Sequence, residues 1–183
     1  MKKESLRTFD SLSEYWSLFQ KTFKKMSGLR KILRREQITP QFREKLMLVV
    51  SQTNQCAYCS FLHAKKALEE GISQNTIDNI LDIEEGHFTP KEIPAVLFAR
   101  HFAETKGNVS PLSIHTLTEY YGEHTSRQIQ AFLQSVLFGN LCCNTVFSFK
   151  EHLFSASEKR NRRLAWLCSL PVASMIKKNS LKN

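Results

Sequence analysis

The sequence predicts an all-α protein, and three observations support this fold class. The 183 residues include only six glycines and five prolines, so few positions interrupt regular backbone structure. Long segments place apolar residues three and four positions apart, which is the spacing of one buried helix face. No segment shows the apolar–polar alternation that is typical of half-buried strands. A chain of this length is also large enough to bury a core of its own.

The ends of each helix are predicted from capping residues. Ser or Thr before proline favours the start of a helix, and glycine favours the residue just after its last turn. Gly28 is expected to interrupt the first helix. In chain order, the periodic segments predict helices over residues 13–25, 39–54, 56–70, 73–81, 89–106, 110–121 and 125–154. After the first helix, the start signals are Thr39-Pro40, Cys56, Ser73, Thr89-Pro90, Ser110-Pro111 and Thr125 or Ser126, and the glycine stops are Gly71, Gly107 and Gly122.

Charge and composition narrow the class of protein. Apolar residues make up 42% of the chain and charged residues 23%, which is ordinary for a soluble globular protein. The formal net charge is +9, but no recognition motif accompanies the basic residues, so nucleic-acid binding is not favoured. The basic residues gather near both ends, at Lys21, Lys24, Lys25, Arg30, Lys31, Arg34, Arg35, Lys159, Arg160, Arg162 and Arg163.

The cellular location is inferred from the apolar segments of the sequence. The charged start at Met1 is not followed by the apolar stretch of a secretory signal. The longest uncharged run, residues 128–149, contains several Gln and Asn residues and is interpreted as a buried core helix, not a membrane span. We therefore expect a cytoplasmic protein without membrane contact. Three regions are predicted: a basic N-terminal helical segment (1–36), a central domain (37–156) and a basic C-terminal segment (157–183), with one helix broken at Pro171.

Five cysteines are present, and an odd number without regular spacing does not fit an extracellular disulfide framework. A single Cys-x-x-Cys, at Cys56 and Cys59, indicates redox or metal chemistry in a reducing compartment. Cys142, Cys143 and Cys168 lie in apolar surroundings and are expected to be buried, inert thiols.

The main constellation is Glu44, Cys56, Cys59 and His63. If Cys56 opens a helix, the two cysteines and His63 share one face, with the cysteine Cα atoms roughly 5 Å apart. That separation permits a disulfide. A helix N-terminus lowers the pKa of a thiol, and His63, one turn beyond Cys59, could accept its proton. Glu44, on the preceding helix, is the candidate for orienting the imidazole.

The pattern Glu44…Cys56-x-x-Cys59-x-x-x-His63 resembles the alkylhydroperoxidase D-like branch of the carboxymuconolactone decarboxylase family. The run from Phe138 to Asn144 resembles a later helix of that family, which carries paired asparagines near a phenylalanine. The resemblance covers residues 37–152. It implies an alkylhydroperoxidase D-like helical bundle with the Cys-x-x-Cys at a helix N-terminus. It also implies assembly into homo-oligomers, as trimers or hexamers.

The resemblance further implies an antioxidant peroxidase. In this interpretation Cys59 attacks the hydroperoxide, Cys56 resolves the sulfenic acid to a disulfide, and Glu44 with His63 relays the proton. A dithiol protein, of lipoyl or thioredoxin-like type, would restore the thiols. Neither a cofactor nor a metal is expected. One departure is Tyr58, which stands where some peroxidase members carry a histidine; a phenol is a poor base near neutral pH.

Several alternatives remain open from the sequence. The dithiol could serve a dithiol–disulfide oxidoreductase or a redox sensor without peroxidase turnover. The basic ends could serve a non-enzymatic interaction protein. Zinc is less favoured, because Cys56, Cys59 and His63 supply three ligands and a structural site needs a fourth. Decarboxylation is less favoured, because that reaction has no need of a dithiol.

Overall fold

The computed structural model describes residues 6–32, 38–83, 86–151 and 165–169, and over these residues it is all-α, with no β-strand. A helical turn at residues 165–169 follows the last long helix. The helices are α1 (Leu12–Ile32), α2 (Pro40–Thr53), α3 (Ala57–Glu69), α4 (Gln74–Asp78), α5 (Ile93–Glu104) and α6 (Pro111–Glu151). The predicted fold class is therefore confirmed.

Local capping chemistry accounts for most of the helix ends. The Thr39 side chain accepts a hydrogen bond from the Phe42 amide at 3.1 Å, and Pro40 occupies the first turn of α2. Ser73 caps α4 in the same way, through the Thr76 amide at 3.2 Å. These predicted starts are confirmed, because a cap needs only residues within one turn of it.

The predicted helix ends at Gly28, Leu81 and Thr89-Pro90 are wrong; α4 already ends at Asp78. Gly28 does not interrupt α1, which continues to Ile32. A single glycine costs a helix only about 1 kcal/mol, so it does not end one that packs against a neighbour. Thr89-Pro90 does not start α5; it forms a turn, and the helix starts at Ile93 with Pro94 in its first turn. The carboxylate of Glu92 accepts a bond from the Thr89 amide at 2.8 Å, which stabilises that turn.

Gly122 divides α6 as predicted, because its backbone angles, φ 75° and ψ 160°, are not helical. Only glycine adopts such angles at little cost, so the helix changes direction there. The predicted cap at Thr125 or Ser126 is wrong, since the helix resumes directly after Gly122 and both residues lie within it. The predicted end near residue 154 and the break at Pro171 lie outside the described residues.

Helix α6 forms the centre of the bundle, with α1, α2 and α5 packed against it and α3 packed mainly on α2. The N-terminal region joins this core: the rings of Phe9 and Tyr15 lie 5.9 and 5.5 Å from that of Phe138. The fully buried leucines are Leu46, Leu48, Leu117, Leu133, Leu137 and Leu141. The limits predicted for the three regions, at residues 36 and 156, fall outside the described residues and stay predictions.

One helical stretch, Pro111–Ser148, is long and apolar enough to cross a membrane by length and composition alone. Of its most apolar window, 67% is buried inside the protein, as in the core helix of a soluble protein. The stretch is therefore weak evidence for a membrane span.

Candidate redox site

The junction between α2 and α3 places the two cysteines. Asn54 ends α2, and Gln55 adopts a left-handed conformation with φ 55°, which turns the chain tightly. The Cys56 amide then donates to the Ser51 carbonyl at 2.9 Å, closing the turn. Cys56 becomes the N-cap of α3, and its carbonyl accepts from the Ser60 amide at 2.8 Å. The predicted position of the motif at a helix N-terminus is confirmed.

Cys56 and Cys59 form a disulfide, with their Cα atoms 5.3 Å apart. Each residue is only 1% exposed, so the sulfur pair is enclosed by protein. After reduction, a thiolate formed here would face the positive end of the α3 dipole and the unpaired amides of its first turn. The arrangement is therefore suited to reversible dithiol–disulfide chemistry.

His63 and Glu44 form the second part of the site. Nδ1 of His63 lies 2.8 Å from Oε2 of Glu44, and both side chains are nearly buried, at 11% and 12% exposure. A carboxylate at Nδ1 favours the tautomer with its proton there, which leaves Nε2 as the ring's acceptor. The structure thus brings Glu44 and His63 together, and His63 lies one turn beyond Cys59 on α3.

Lys45, the lysine next to Glu44, is directed away from the Glu44–His63 pair. It forms an ion pair with Glu92 at 2.9 Å and lies over the Phe88 ring, 5.4 Å from its centre. Lys45 is therefore held towards α5, while Glu44 contacts α3. A carboxylate on a solvated helix face would be far more exposed than Glu44 is.

Tyr58 is part of the packing around the disulfide. It is partly buried, and its ring lies 5.8 Å from the ring of Phe147 on α6. An aromatic pair at this distance contributes packing between α3 and α6. Tyr58, which stands where some peroxidases of the resembled family carry a histidine, therefore contributes to helix packing.

Two asparagines of α6 form hydrogen bonds that hold the α2–α3 junction in place. The Ser51 hydroxyl donates to Oδ1 of Asn140 at 3.4 Å. Nδ2 of Asn144 donates to two carbonyls, that of Asn54 at 2.8 Å and that of Arg7 at 2.9 Å. Both asparagines are at most 2% exposed. The paired asparagines that the sequence singled out therefore fix the backbone on which the cysteines lie.

Replacing Asn144 with alanine is expected to lower the free energy of unfolding by about 1–3 kcal/mol, because two carbonyls lose a buried donor. Chemical denaturation measures this loss. Asn108→Ala is the matched control, since Asn108 is exposed, and it should change stability by less than about 0.5 kcal/mol. Equal losses of stability in the two variants would contradict the proposed contribution of the Asn144 hydrogen bonds.

Cys143 is the residue that the sequence analysis missed. It is buried, as expected, but its sulfur lies within 4.8 Å of the sulfur atoms of both Cys56 and Cys59. Burial raises the pKa of its thiol to about 11. A signal was present in the sequence, because Cys143 lies one helical turn beyond Asn140, on the face of α6 that contacts the junction.

This raised pKa predicts a loss of stability at high pH. Well below pH 9 the Cys143 thiol is protonated in both the folded and the unfolded chain, so it has no effect on stability there. As the pH rises from 9 to 11, only the unfolded chain loses the proton, and folding is disfavoured. Over that range we expect up to about 2 kcal/mol to be lost.

Urea denaturation between pH 8 and pH 11 measures this loss. The variant Cys143→Ala should lose less stability over the same range than the wild type. Tyr15, whose pKa burial raises to about 12, should act in the same direction at a still higher pH. Identical pH dependence in the wild type and Cys143→Ala would contradict the assignment to Cys143.

Comparison with known proteins gives one match. The model of the carboxymuconolactone decarboxylase family matches residues 19–103. No curated protein and no solved structure matches the chain. The matched segment contains Glu44, Cys56, Cys59 and His63, whereas α6 and Cys143 lie beyond it.

Proposed function

Because the model of the carboxymuconolactone decarboxylase family matches residues 19–103, we propose that the chain is an alkylhydroperoxidase D-like, thiol-dependent peroxidase. The family domain and the disulfide-forming pair fit a redox role of this kind. The observation that carries the proposal is the combination of the Cys56–Cys59 disulfide with the Glu44–His63 pair one turn further along α3. A redox-active dithiol needs a nearby base to form its thiolate, and this pair supplies one.

In the proposed reaction, Nε2 of His63 accepts the proton of the Cys59 thiol. The thiolate attacks the terminal oxygen of a hydroperoxide, and the oxygen–oxygen bond breaks. Cys59 becomes a sulfenic acid, and the leaving alkoxide takes up the proton held by His63 to depart as an alcohol. Two electrons pass from sulfur to the peroxide. The Glu44 carboxylate stabilises the imidazolium that exists between the two proton transfers.

The Cys56 thiol then attacks the sulfenic sulfur of Cys59, which forms the disulfide and releases water. The Cα separation of 5.3 Å already suits this bond, so resolution needs little backbone movement. An external dithiol reduces the disulfide by thiol–disulfide exchange and becomes a disulfide itself. Each cycle thus consumes one hydroperoxide and one dithiol.

Burial of the disulfide restricts the kind of reductant that can reach it. Both cysteines are 1% exposed, so a reductant must bring a sulfur atom into the protein to reach them. A dithiol on a slender arm, of the lipoyl type, meets that requirement with less opening of the bundle than a folded thioredoxin-like surface does. We propose a lipoyl-type dithiol protein as the partner.

The proposal is tested by peroxide consumption in the presence of excess dithiol, with dihydrolipoamide as the reductant and cumene hydroperoxide or H₂O₂ as the oxidant. The expected result is many turnovers per chain. If fully reduced protein consumes one equivalent or none, peroxidase function fails. The remaining hypotheses would then be a redox sensor, which oxidises once, or a dithiol–disulfide oxidoreductase, which reduces a disulfide substrate.

Homo-oligomer formation is the second part of the proposal. Helix α1 carries two aromatic side chains that are half exposed, Trp16 at 56% and Phe23 at 51%. The Phe19 ring stacks on that of Trp16 and contacts that of Phe23 at a tilt. Apolar groups clustered on one helix face favour association with another surface. We expect sedimentation to give a mass larger than that of one chain, and Trp16→Ser with Phe23→Ser to shift it towards the monomer. A monomeric wild type would contradict this expectation.

A further inference from the structure

The three cysteines around the α3 N-terminus form a compact sulfur cluster. Their sulfur atoms all lie within 4.8 Å of one another, although Cys143 is contributed by a different helix from the other two. Each of the three residues is at most 1% exposed. In the reduced protein these are three convergent thiols in one enclosed space, which the peroxidase cycle, with its two thiols, does not explain.

The spacing suits a single metal ion. Three thiolates about 2.3 Å from one central ion lie about 4.0 Å from each other when they are arranged in a plane around it. The observed upper limit of 4.8 Å between the sulfur atoms includes this separation, and reduction of the disulfide leaves the Cys56 and Cys59 sulfurs able to move apart.

We propose that the reduced protein binds one Cu(I) ion through Cys56, Cys59 and Cys143. Thiolates are soft ligands, and Cu(I) is a soft ion that accepts three of them in a trigonal plane. Zn(II) requires a fourth ligand. Among the residues that the structure describes, the compact ligand group contains only these three cysteines, and His63 lies outside it.

The electrostatic surroundings support the site. Cys56 is the N-cap of α3 and Cys59 lies in its first turn, so the negative charge of the thiolates meets the positive end of that helix. Binding releases three thiol protons to solvent and transfers no electron, because the ion enters and remains as Cu(I). The inference is independent of the peroxidase proposal.

Copper binding and the disulfide exclude one another. When Cys56 and Cys59 are oxidised, Cys143 is the one thiol left in the cluster. A single buried thiol is a weak site for the ion. Oxidation of the pair therefore releases Cu(I), and bound Cu(I) protects the pair from oxidation.

The test is a titration of the dithiothreitol-reduced, desalted protein with Cu(I) under anaerobic conditions against a chromogenic Cu(I) chelator. X-ray absorption spectroscopy then gives the number of sulfur ligands. We expect one ion per chain with three sulfur ligands, and no binding by the disulfide form. Cys143→Ser should leave two sulfur ligands and weaken binding about tenfold or more. Cys142→Ser, a buried neighbour outside the cluster, should bind as the wild type does.

Two results would overturn the inference. One is a wild-type site with two sulfur ligands, which would exclude Cys143. The other is a preference for Zn(II) in a four-coordinate site. Should Cys143→Ser not fold, Cys143→Ala replaces it, and the wild-type ligand number decides the question without any variant. Peroxide turnover is a separate measurement, so failure of one proposal leaves the other standing.

Discussion

Cys59→Ser is expected to abolish peroxide turnover, lowering the rate by about three orders of magnitude or more. A serine hydroxyl cannot replace the thiolate that accepts the peroxide oxygen, and removal of a catalytic nucleophile has effects of this size. The measurement is steady-state hydroperoxide consumption with excess dihydrolipoamide. Cys142→Ser is the matched control, because Cys142 is also buried and lies outside the sulfur cluster; it should retain wild-type turnover.

The Cys56→Ser variant distinguishes the role of Cys56 from that of Cys59. It should also lose turnover, but Cys59 should still react once and remain as a sulfenic acid. Dimedone labelling followed by peptide mass spectrometry is expected to find the adduct on Cys59. An adduct on Cys56 in the Cys59→Ser variant would reverse the proposed roles, and full turnover in Cys59→Ser would refute the nucleophile assignment.

His63→Gln is expected to lower kcat/KM for the hydroperoxide by about 10²–10⁴-fold, which is the usual contribution of a general acid–base group. Glu44→Gln should have a smaller effect in the same direction, because the imidazole remains but loses its charged partner. Activity of both variants should recover partly at higher pH, where the Cys59 thiol ionises without a base. A purely structural role would not produce this pH-dependent recovery.

His101→Gln is the control for the His63 prediction. His101 lies on α5, is partly buried and has no part in the proposed chemistry. It should leave both kcat/KM and its pH profile unchanged. Equal losses in His101→Gln and His63→Gln would indicate a general effect on folding, and an unchanged His63→Gln would remove His63 from the mechanism.

The fold could be predicted from the sequence where the determining interactions are local. Thr39 and Ser73 cap helices through bonds to amides three residues away, and the sequence displays both partners. The predictions at Gly28 and Pro90 are wrong because tertiary contacts decide the structure there. Helix α1 gains packing on α6 that outweighs one glycine. The Glu92 carboxylate is held by an ion pair with Lys45 of α2, a long-range contact, and it fixes a turn at Thr89 in place of a helix start.

In the candidate site, too, local relations could be predicted from the sequence and long-range contacts could not. Cys56, Cys59 and His63 share a helix face, so helical periodicity alone predicted their alignment. The contact between Glu44 and His63 depends on the turn at Gln55, whose left-handed backbone is not apparent from the residue type. Helical spacing indicates that Cys143 shares a face of α6 with Asn140. The short distance from its sulfur to those of Cys56 and Cys59 depends on how α6 crosses the α2–α3 junction, a long-range arrangement that spacing does not encode.

The central claim is that a hydroperoxide is reduced at the expense of the Cys56 and Cys59 thiols. The most direct measurement adds one equivalent of hydroperoxide to fully reduced protein and follows both the remaining peroxide and the disulfide state of each cysteine by quenched peptide mass spectrometry. The account predicts one Cys56–Cys59 disulfide formed for each peroxide consumed, at the same rate. Peroxide loss without this disulfide, or no loss while both thiols persist, would contradict it.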